Sequence, residues 1–229
     1  MMKDFINEDK INRILEQSKK PEPSRVRDII AKAQELKGLT LEESAALLQV
    51  EDAELLDEIC SAAYEIKNAI YGNRLVMFAP LYTSNICSNN CLYCGFRKDN
   101  KDLKRVVLTN EEIAEEVRIL ERQGHKRLLM LCGEQKGGGY LDRFIEAVDT
   151  AYATMTEKCG EIRRINVEVA PLEVDDFKRL KKADIGTYVL FQETYHHETY
   201  RVMHPVGPKA DYLYRLTAMD RAMQADIDD

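Results

Sequence analysis

The sequence predicts an α/β protein: an all-helical segment over residues 1–72, then, over residues 73–229, about four β/α units of a parallel barrel whose C-terminal half is absent. Two patterns carry that reading. Up to Gly72 apolar residues recur at helical spacing between capping signals, whereas beyond it short apolar runs alternate with longer amphipathic stretches. A cysteine-rich loop also falls where the first apolar run ends, and parallel β/α folds collect functional residues at the C-terminal ends of their strands.

The opening helix is expected over Asn7–Ser18, and Pro21 and Pro23 separate it from a second beginning near Ser24. Gly38 stops that helix, Thr40 caps the next, and a longer one runs from Asp52 to Tyr71. This spacing superficially suggests a helix-turn-helix, but the candidate recognition helix, beginning Ala53-Glu54-Leu55-Leu56-Asp57-Glu58, is acidic and would repel phosphate. In the second segment Leu75–Leu81 is the first strand. Thr109, with Glu112 three residues on, forms a capping box that opens a helix to about Gly124. Arg127–Cys132 is the second strand and Tyr140–Thr156 its helix. Arg164–Ala170 alternates polar and apolar side chains as a third strand and is followed by a helix over Glu173–Ala183. Thr187–Gln192 is a fourth strand and Ala210–Ala225 the last helix. Four such units imply a parallel sheet with right-handed crossovers. The sequence stops after a helix, where a fifth strand is expected, so it reads as half of an eight-fold barrel. The last strand then has an unpaired edge, and the fragment alone is expected to be inactive.

Hydrophobic residues make up 45% of the chain, enough for a core, and 33 Lys+Arg against 40 Asp+Glu give a formal net charge of -7. That balance argues against a nucleic-acid binder that works by neutralising phosphate. Without a signal-peptide-like N-terminus or an apolar stretch long enough to span a bilayer, the expected location is the cytoplasm, with no membrane partner. Cytosolic cysteines stay reduced, so clustered ones suggest metal and scattered ones packing. Cys60, Cys132 and Cys159 are scattered and read as small buried or semi-buried residues.

The clustered set is Cys87, Cys91 and Cys94, a C-x3-C-x2-C triplet. Soft thiolates select iron-sulfur clusters, zinc or copper(I). Structural zinc wants a fourth ligand, yet the nearest following histidine is His125 and no second C-x2-C pair exists, so a four-iron cluster with one open position is the better reading. A structural zinc module with an outside ligand is the alternative. Other candidates sit at strand ends. Gly133-Glu134 would let a ligand approach the backbone and pair its ammonium with a carboxylate, and Asn166 and Glu168 alternate on the third strand. Gln192 and Glu193 emerge from the fourth strand, near His196, His197 and His204, which read as capping or hydrogen-bonding residues rather than metal ligands. Gly137-Gly138-Gly139 lacks the Lys-Ser/Thr of a phosphate-binding loop and reads as a flexible connection.

With these motifs on the expected elements, the chain resembles the radical S-adenosylmethionine (radical SAM) superfamily. Residues 81–101, 160–167 and 191–200 narrow the resemblance to its tyrosine lyases, the HydG family of [FeFe]-hydrogenase H-cluster maturases first and the thiamine-pathway ThiH family second. The sequence departs from the maturases after Gly133-Glu134, where Gln135-Lys136-Gly137 stands in place of His-Pro. The resemblance implies a partial radical SAM barrel in which Cys87, Cys91 and Cys94 hold a [4Fe-4S] cluster. S-adenosylmethionine would bind the open iron, with Glu134 at its amino group, Tyr93 on the adenine, and Gln192 and Glu193 at the ribose or methionyl end. It further implies reductive cleavage of S-adenosylmethionine to a 5'-deoxyadenosyl radical. That radical initiates cleavage of the Cα–Cβ bond of L-tyrosine to p-cresol and dehydroglycine, leading to CO and cyanide. Implied partners are an electron donor such as ferredoxin or flavodoxin and other hydrogenase maturation proteins. The C-terminal cysteines of the family's second cluster are not in this chain.

Overall fold

The structure, a computed structural model, describes residues 3–137, 139–156 and 160–227. Its described residues divide into two compact units, one of residues 5–76 and one of residues 77–229 together with the first four.

The helical unit contains α1 (Glu8–Gln17), α2 (Pro23–Gln34), α3 (Leu41–Leu48) and α4 (Ala53–Tyr71). Each start follows from its cap. Asn7 accepts from the Lys10 amide, proline occupies the first turn of α2, Thr40 and Glu43 form a capping box, and Asp52 accepts from the Leu55 amide. Val26, Val50 and Leu55 are its buried centre, with Ile30, Leu47 and Ile59 packed around them. Outside that centre Arg27 forks onto Glu58 through Nε and Nη2, at 3.0 and 2.7 Å. Cys60, expected to be buried or semi-buried, is instead exposed, because it lies on the face of α4 turned away from that small core.

The second unit is built on a parallel sheet in the order β1 (Ala79–Ser84), β2 (Arg127–Cys132), β3 (Arg164–Glu168). The register aligns Leu81 with Met130 and Met130 with Val167, all buried in the core with residues of α5 (Asn110–Arg122), α6 (Tyr140–Ala153) and α7 (Val174–Lys182). Because side chains alternate along a strand, the row Tyr82, Leu131, Glu168 faces the opposite side of the sheet. A partial β/α barrel of the expected class results, with the core between sheet and helices.

Three expected secondary-structure elements are also corrected. The first strand begins at Ala79 rather than Leu75: pairing starts opposite Leu128, and the apolar run Leu75–Phe78 is exposed. Hydrophobicity alone does not make a strand without a neighbour. The fourth strand is reduced to a single parallel bridge between Val167 and Tyr188. Gly186, Thr187 and Val189 still exchange backbone hydrogen bonds with Ile165 and Val167, but the Phe191 carbonyl turns to Arg215 Nε at 2.8 Å. The last helix is broken into a 3-10 turn (Pro208–Ala210), α9 (Tyr212–Leu216) and α10 (Ala218–Met223). The break falls at Thr217, whose hydroxyl donates back to the Leu213 carbonyl and accepts from Arg221 Nη1. A further helix, α8 (His197–Met203), precedes them.

Cys132 is half-buried against the core, whereas Cys159 and Gly138 lie outside the described residues. Among the described residues no helix is long and apolar enough to cross a membrane.

The capping box at the start of α5 pairs Thr109 Oγ1 with the Glu112 amide at 3.2 Å and the Glu112 carboxylate with the Thr109 amide at 2.8 Å. Thr109→Ala should therefore lower stability by about 1 kcal/mol, read as a shifted urea midpoint with an unchanged slope.

Candidate functional site

The cysteine loop leaves β1 at a register shift between Tyr82 and Ser84 and folds against the end of β2. The Gly133 amide donates to the Ser84 carbonyl at 2.9 Å, and the Ser88 amide to the Glu134 carbonyl at 2.7 Å. Gly133 is needed here for space, since a Cβ would lie 2.3 Å from the Ile86 carbonyl oxygen and 3.2 Å from the Cys87 Cβ. Gly207 serves the same purpose from the other side, at φ 107°, where a Cβ would meet Asn89 Oδ1 at 2.4 Å.

Within the loop Cys91 is buried and Cys87 and Cys94 are half-buried. The Asn89 amide points at Cys87 Sγ at 3.5 Å and the Phe96 amide at Cys94 Sγ at 3.4 Å. Amide donors to sulfur stabilise thiolate charge and tune cluster sites. Burial pushes the Cys87 and Cys91 thiols up, the Cys91 thiol against the pull of Lys209, and Cys94 and Glu134 add to the rise at Cys87. The thiols thus share one electrostatic environment that a cation or cationic cluster would relieve. Among the described residues no three His, Cys, Asp or Glu side chains converge as for a single metal ion.

A network of charged and polar groups holds the ends of the strands together beside this loop. Arg215, on α9, donates through Nη1 to Glu134 Oε1 at 2.5 Å, and the side chains are only 3% and 14% exposed. Burial alone would lower the Arg215 pKa; the neighbouring Glu134 carboxylate overcomes that, and the net shift is upward. Glu134 Oε2 accepts from Asn89 Nδ2 at 2.9 Å, while Asn89 Oδ1 accepts from the Lys209 amide at 2.8 Å. The Lys209 ammonium reaches Glu193 at 2.9 Å. Glu193 itself sits at φ 71°, a left-handed conformation costly for a non-glycine residue and met mostly where the surroundings impose it. Gln192 is buried, and among the described residues its Nε2 has no hydrogen-bond partner. Burial also raises the Glu168 carboxyl, against the pull of Arg215 and Lys209.

Tyr93 lies half exposed, with its hydroxyl 2.8 Å from His204 Nε2 and Lys209 5.8 Å from its ring. Because His204 Nδ1 faces the Tyr200 carbonyl at 2.9 Å, it carries the proton, and Tyr93 donates to Nε2. His196 caps α8 through Nδ1, and His197 Nε2 meets Asp4 at 2.7 Å, so all three histidines make capping or hydrogen-bonding contacts.

The structure therefore places Glu134, Glu193 and the cysteine loop in one connected network, with Tyr93 joined to it through Lys209. Gln192 adjoins it with a free donor. Asn89, Lys209 and Arg215 are the residues that sequence reasoning missed. Asn89, between two cysteines, was findable, but Lys209 and Arg215 look like surface cations of a short helical stretch. A cavity of about 750 Å³ lies among Gly137, Tyr140, Pro171, Asp211 and Tyr214, and no side chain of the network lines it.

Residues 81–229 match the Radical SAM superfamily. The chain belongs to that superfamily. A crystal structure of HydG, a maturase of the [FeFe]-hydrogenase, superposes with a TM-score of 0.96 at 54% identity, over 99% of this chain and 50% of that one. HydG from Carboxydothermus hydrogenoformans gives a TM-score of 0.88 at 41% identity, over 96% of this chain and 50% of that one. The 2-iminoacetate synthase of Escherichia coli (strain K12) is 32% identical over 193 residues, 83% of this chain and 48% of that protein. The chain thus spans about half the length of the relatives it matches.

Radical SAM proteins use a [4Fe-4S] cluster and S-adenosylmethionine, and the residues present fit both groups. Three thiols from one loop, two with amide donors on sulfur, suit a cluster bound at three corners. The orphaned Gln192 donor, the desolvated Glu134–Arg215 pair and the buried Lys209 ammonium beside the more exposed Glu193 suit a zwitterionic amino-acid moiety.

Gly133→Ala should push the Ile86 carbonyl away, lowering stability by about 1–3 kcal/mol in urea denaturation and reducing iron bound per chain after reconstitution. Wild-type stability and loading in this variant would show that the close approach has no such role.

Proposed function

We propose that this chain is the radical-generating part of a tyrosine lyase of the hydrogenase-maturase type. When bound, the [4Fe-4S] cluster would supply one electron to the sulfonium of S-adenosylmethionine, so that the resulting 5'-deoxyadenosyl radical starts Cα–Cβ cleavage of L-tyrosine to p-cresol and dehydroglycine, the source of CO and cyanide. Cys87, Cys91 and Cys94 would hold three irons and leave the fourth to the cofactor. The observation that carries this reading is the connection of the cysteine loop, through Asn89, to the buried Glu134–Arg215 pair. A carboxylate and a guanidinium already desolvated beside the loop that would hold the cluster match the ammonium and carboxylate of a methionyl group, each of which would replace a partner the protein now supplies itself. Gln192 would add its free amide donor, and the Glu193–Lys209 pair would close the same end. Tyr93, fixed by its bond to His204, would present its ring to the adenine.

Kinship with a 2-iminoacetate synthase supports the same first step, since 2-iminoacetate is dehydroglycine named as the imine of glyoxylate. It also favours a second reading, in which that imine is the final product and no CO or cyanide follows. The electron donor and the other maturation proteins are partners of the first reading.

Anaerobic reconstitution with iron and sulfide should give about four irons per chain and a broad absorbance shoulder near ~400 nm that bleaches on reduction. With the chain extended to the length of its relatives, tyrosine and S-adenosylmethionine should then yield p-cresol. Stoichiometric zinc uptake with no cluster would sink the radical reading in favour of a structural metal module. A loaded protein that makes 5'-deoxyadenosine without p-cresol would sink the choice of substrate.

A further inference from the structure

Directly after Cys94 the loop of residues 97–105 carries five basic residues, Arg97, Lys98, Lys101, Lys104 and Arg105, against Asp99 and Asp102, in a chain whose net charge is -7. The two arginines are structural. Arg105 donates to the carbonyls of Asn85, Phe96 and Arg97 at 2.8, 2.9 and 2.6 Å, and Arg97 donates to the Cys94 carbonyl at 3.2 Å. Asp99 Oδ2 accepts from Asn90 Nδ2 at 2.5 Å. Lys98, Lys101 and Lys104 are left exposed, with no ion-pair partner among the described residues. A frame held by backbone carbonyls thus projects three ammonium groups from a loop whose five basic and two acidic residues leave it a net charge of +3, and Val106 and Val107 beside them are 37% and 40% exposed.

The same loop touches the metal-ligand loop directly. The Lys98 amide donates to the Asn89 carbonyl at 2.8 Å, the Asp99 amide to Asn90 Oδ1 at 3.0 Å, and the Phe96 amide to Cys94 Sγ at 3.4 Å. Anything seated on the lysines therefore sits within a few bonds and hydrogen bonds of a cluster thiolate. The cleavage proposed above consumes one electron per S-adenosylmethionine, which a reductant has to deliver to the cluster.

We propose that residues 98–107 form the docking surface for a small acidic one-electron carrier protein; the proposal rests on the cluster reading above. At this surface the carrier loses one electron and the cluster gains one, with no bond made or broken and no proton moved. Charge complementarity selects the occupant. A compact acidic protein meets the local cations within a Debye length of about 8 Å, whereas a long polyanion would also run along the acidic remainder of the molecule. Three lysines and two half-exposed valines also suit the small, weak interfaces of electron transfer.

The test compares the reconstituted protein with a variant carrying Lys98→Glu, Lys101→Glu and Lys104→Glu, using stopped-flow bleaching of the cluster by reduced flavodoxin and, separately, by dithionite. Reversing the charges should slow reduction by flavodoxin at low salt at least about 10-fold and leave reduction by dithionite unchanged, and the wild-type flavodoxin rate should fall as salt is added. Affinity for oxidised flavodoxin, read from flavin fluorescence anisotropy, should weaken in parallel. An unchanged flavodoxin rate in a loaded variant overturns the docking surface, as does a wild-type rate indifferent to salt or tighter binding of wild type to duplex DNA than to flavodoxin. If the reversal prevents loading, the Lys→Gln triple variant is measured against the same criteria. A wild-type protein that loads no cluster overturns the functional reading instead.

Discussion

The buried ion pair between Glu134 and Arg215 is the contact on which the arrangement of the site depends. At 2.5 Å, with side chains only 14% and 3% exposed, it stands where desolvation is costly for either partner alone. With so little exposure to water, each group relies on the other and on the hydrogen bonds around it. Those bonds run outward to every part of the site: from Arg215 to the Phe191 carbonyl, from Glu134 to Asn89 in the cysteine loop, and from Asn89 to the Lys209 backbone. The end of β2, the ligand loop and the segment leading into α9 are in this way joined by charge rather than by apolar packing.

That choice of chemistry has a consequence for function. An apolar clamp of equal strength would be indifferent to what enters, whereas a buried carboxylate and guanidinium are ready partners for a ligand carrying both charges. The same logic extends to the Glu193–Lys209 pair, whose carboxylate is held on a left-handed backbone, and to Gln192, whose amide donor is buried without a partner. Strain and an unmet hydrogen bond are tolerated in few places, and here both fall on consecutive residues at the rim of the site.

Much of this was legible in the sequence, for reasons that are local. Thr40 with Glu43 and Thr109 with Glu112 mark helix starts because the capping contacts lie within one turn, and Arg127–Cys132 is a strand because it is central, with a neighbour on each side. Cys87, Cys91 and Cys94 declare soft-ligand chemistry by spacing alone. What was not legible depends on distant partners. The run Leu75–Phe78 looks like strand and finds no strand partner among the described residues, the segment after Thr187 loses its ladder when Phe191 bonds to Arg215, and the final helix breaks at Thr217. Arg215 and Lys209 were invisible as site residues for the same reason: their partners lie 81 and 16 positions away.

A double-mutant cycle tests the organising role of the central pair most directly. Stability in urea would be measured for wild type, Glu134→Gln, Arg215→Gln and the double variant, with no cofactor required. Each single change strands the other group's charge or donors in a buried site, so a coupling energy of about 2 kcal/mol is expected, with the double variant less destabilised than the sum of the singles. Additive effects, with coupling below about 0.5 kcal/mol, would contradict the claim that this ion pair holds the site together.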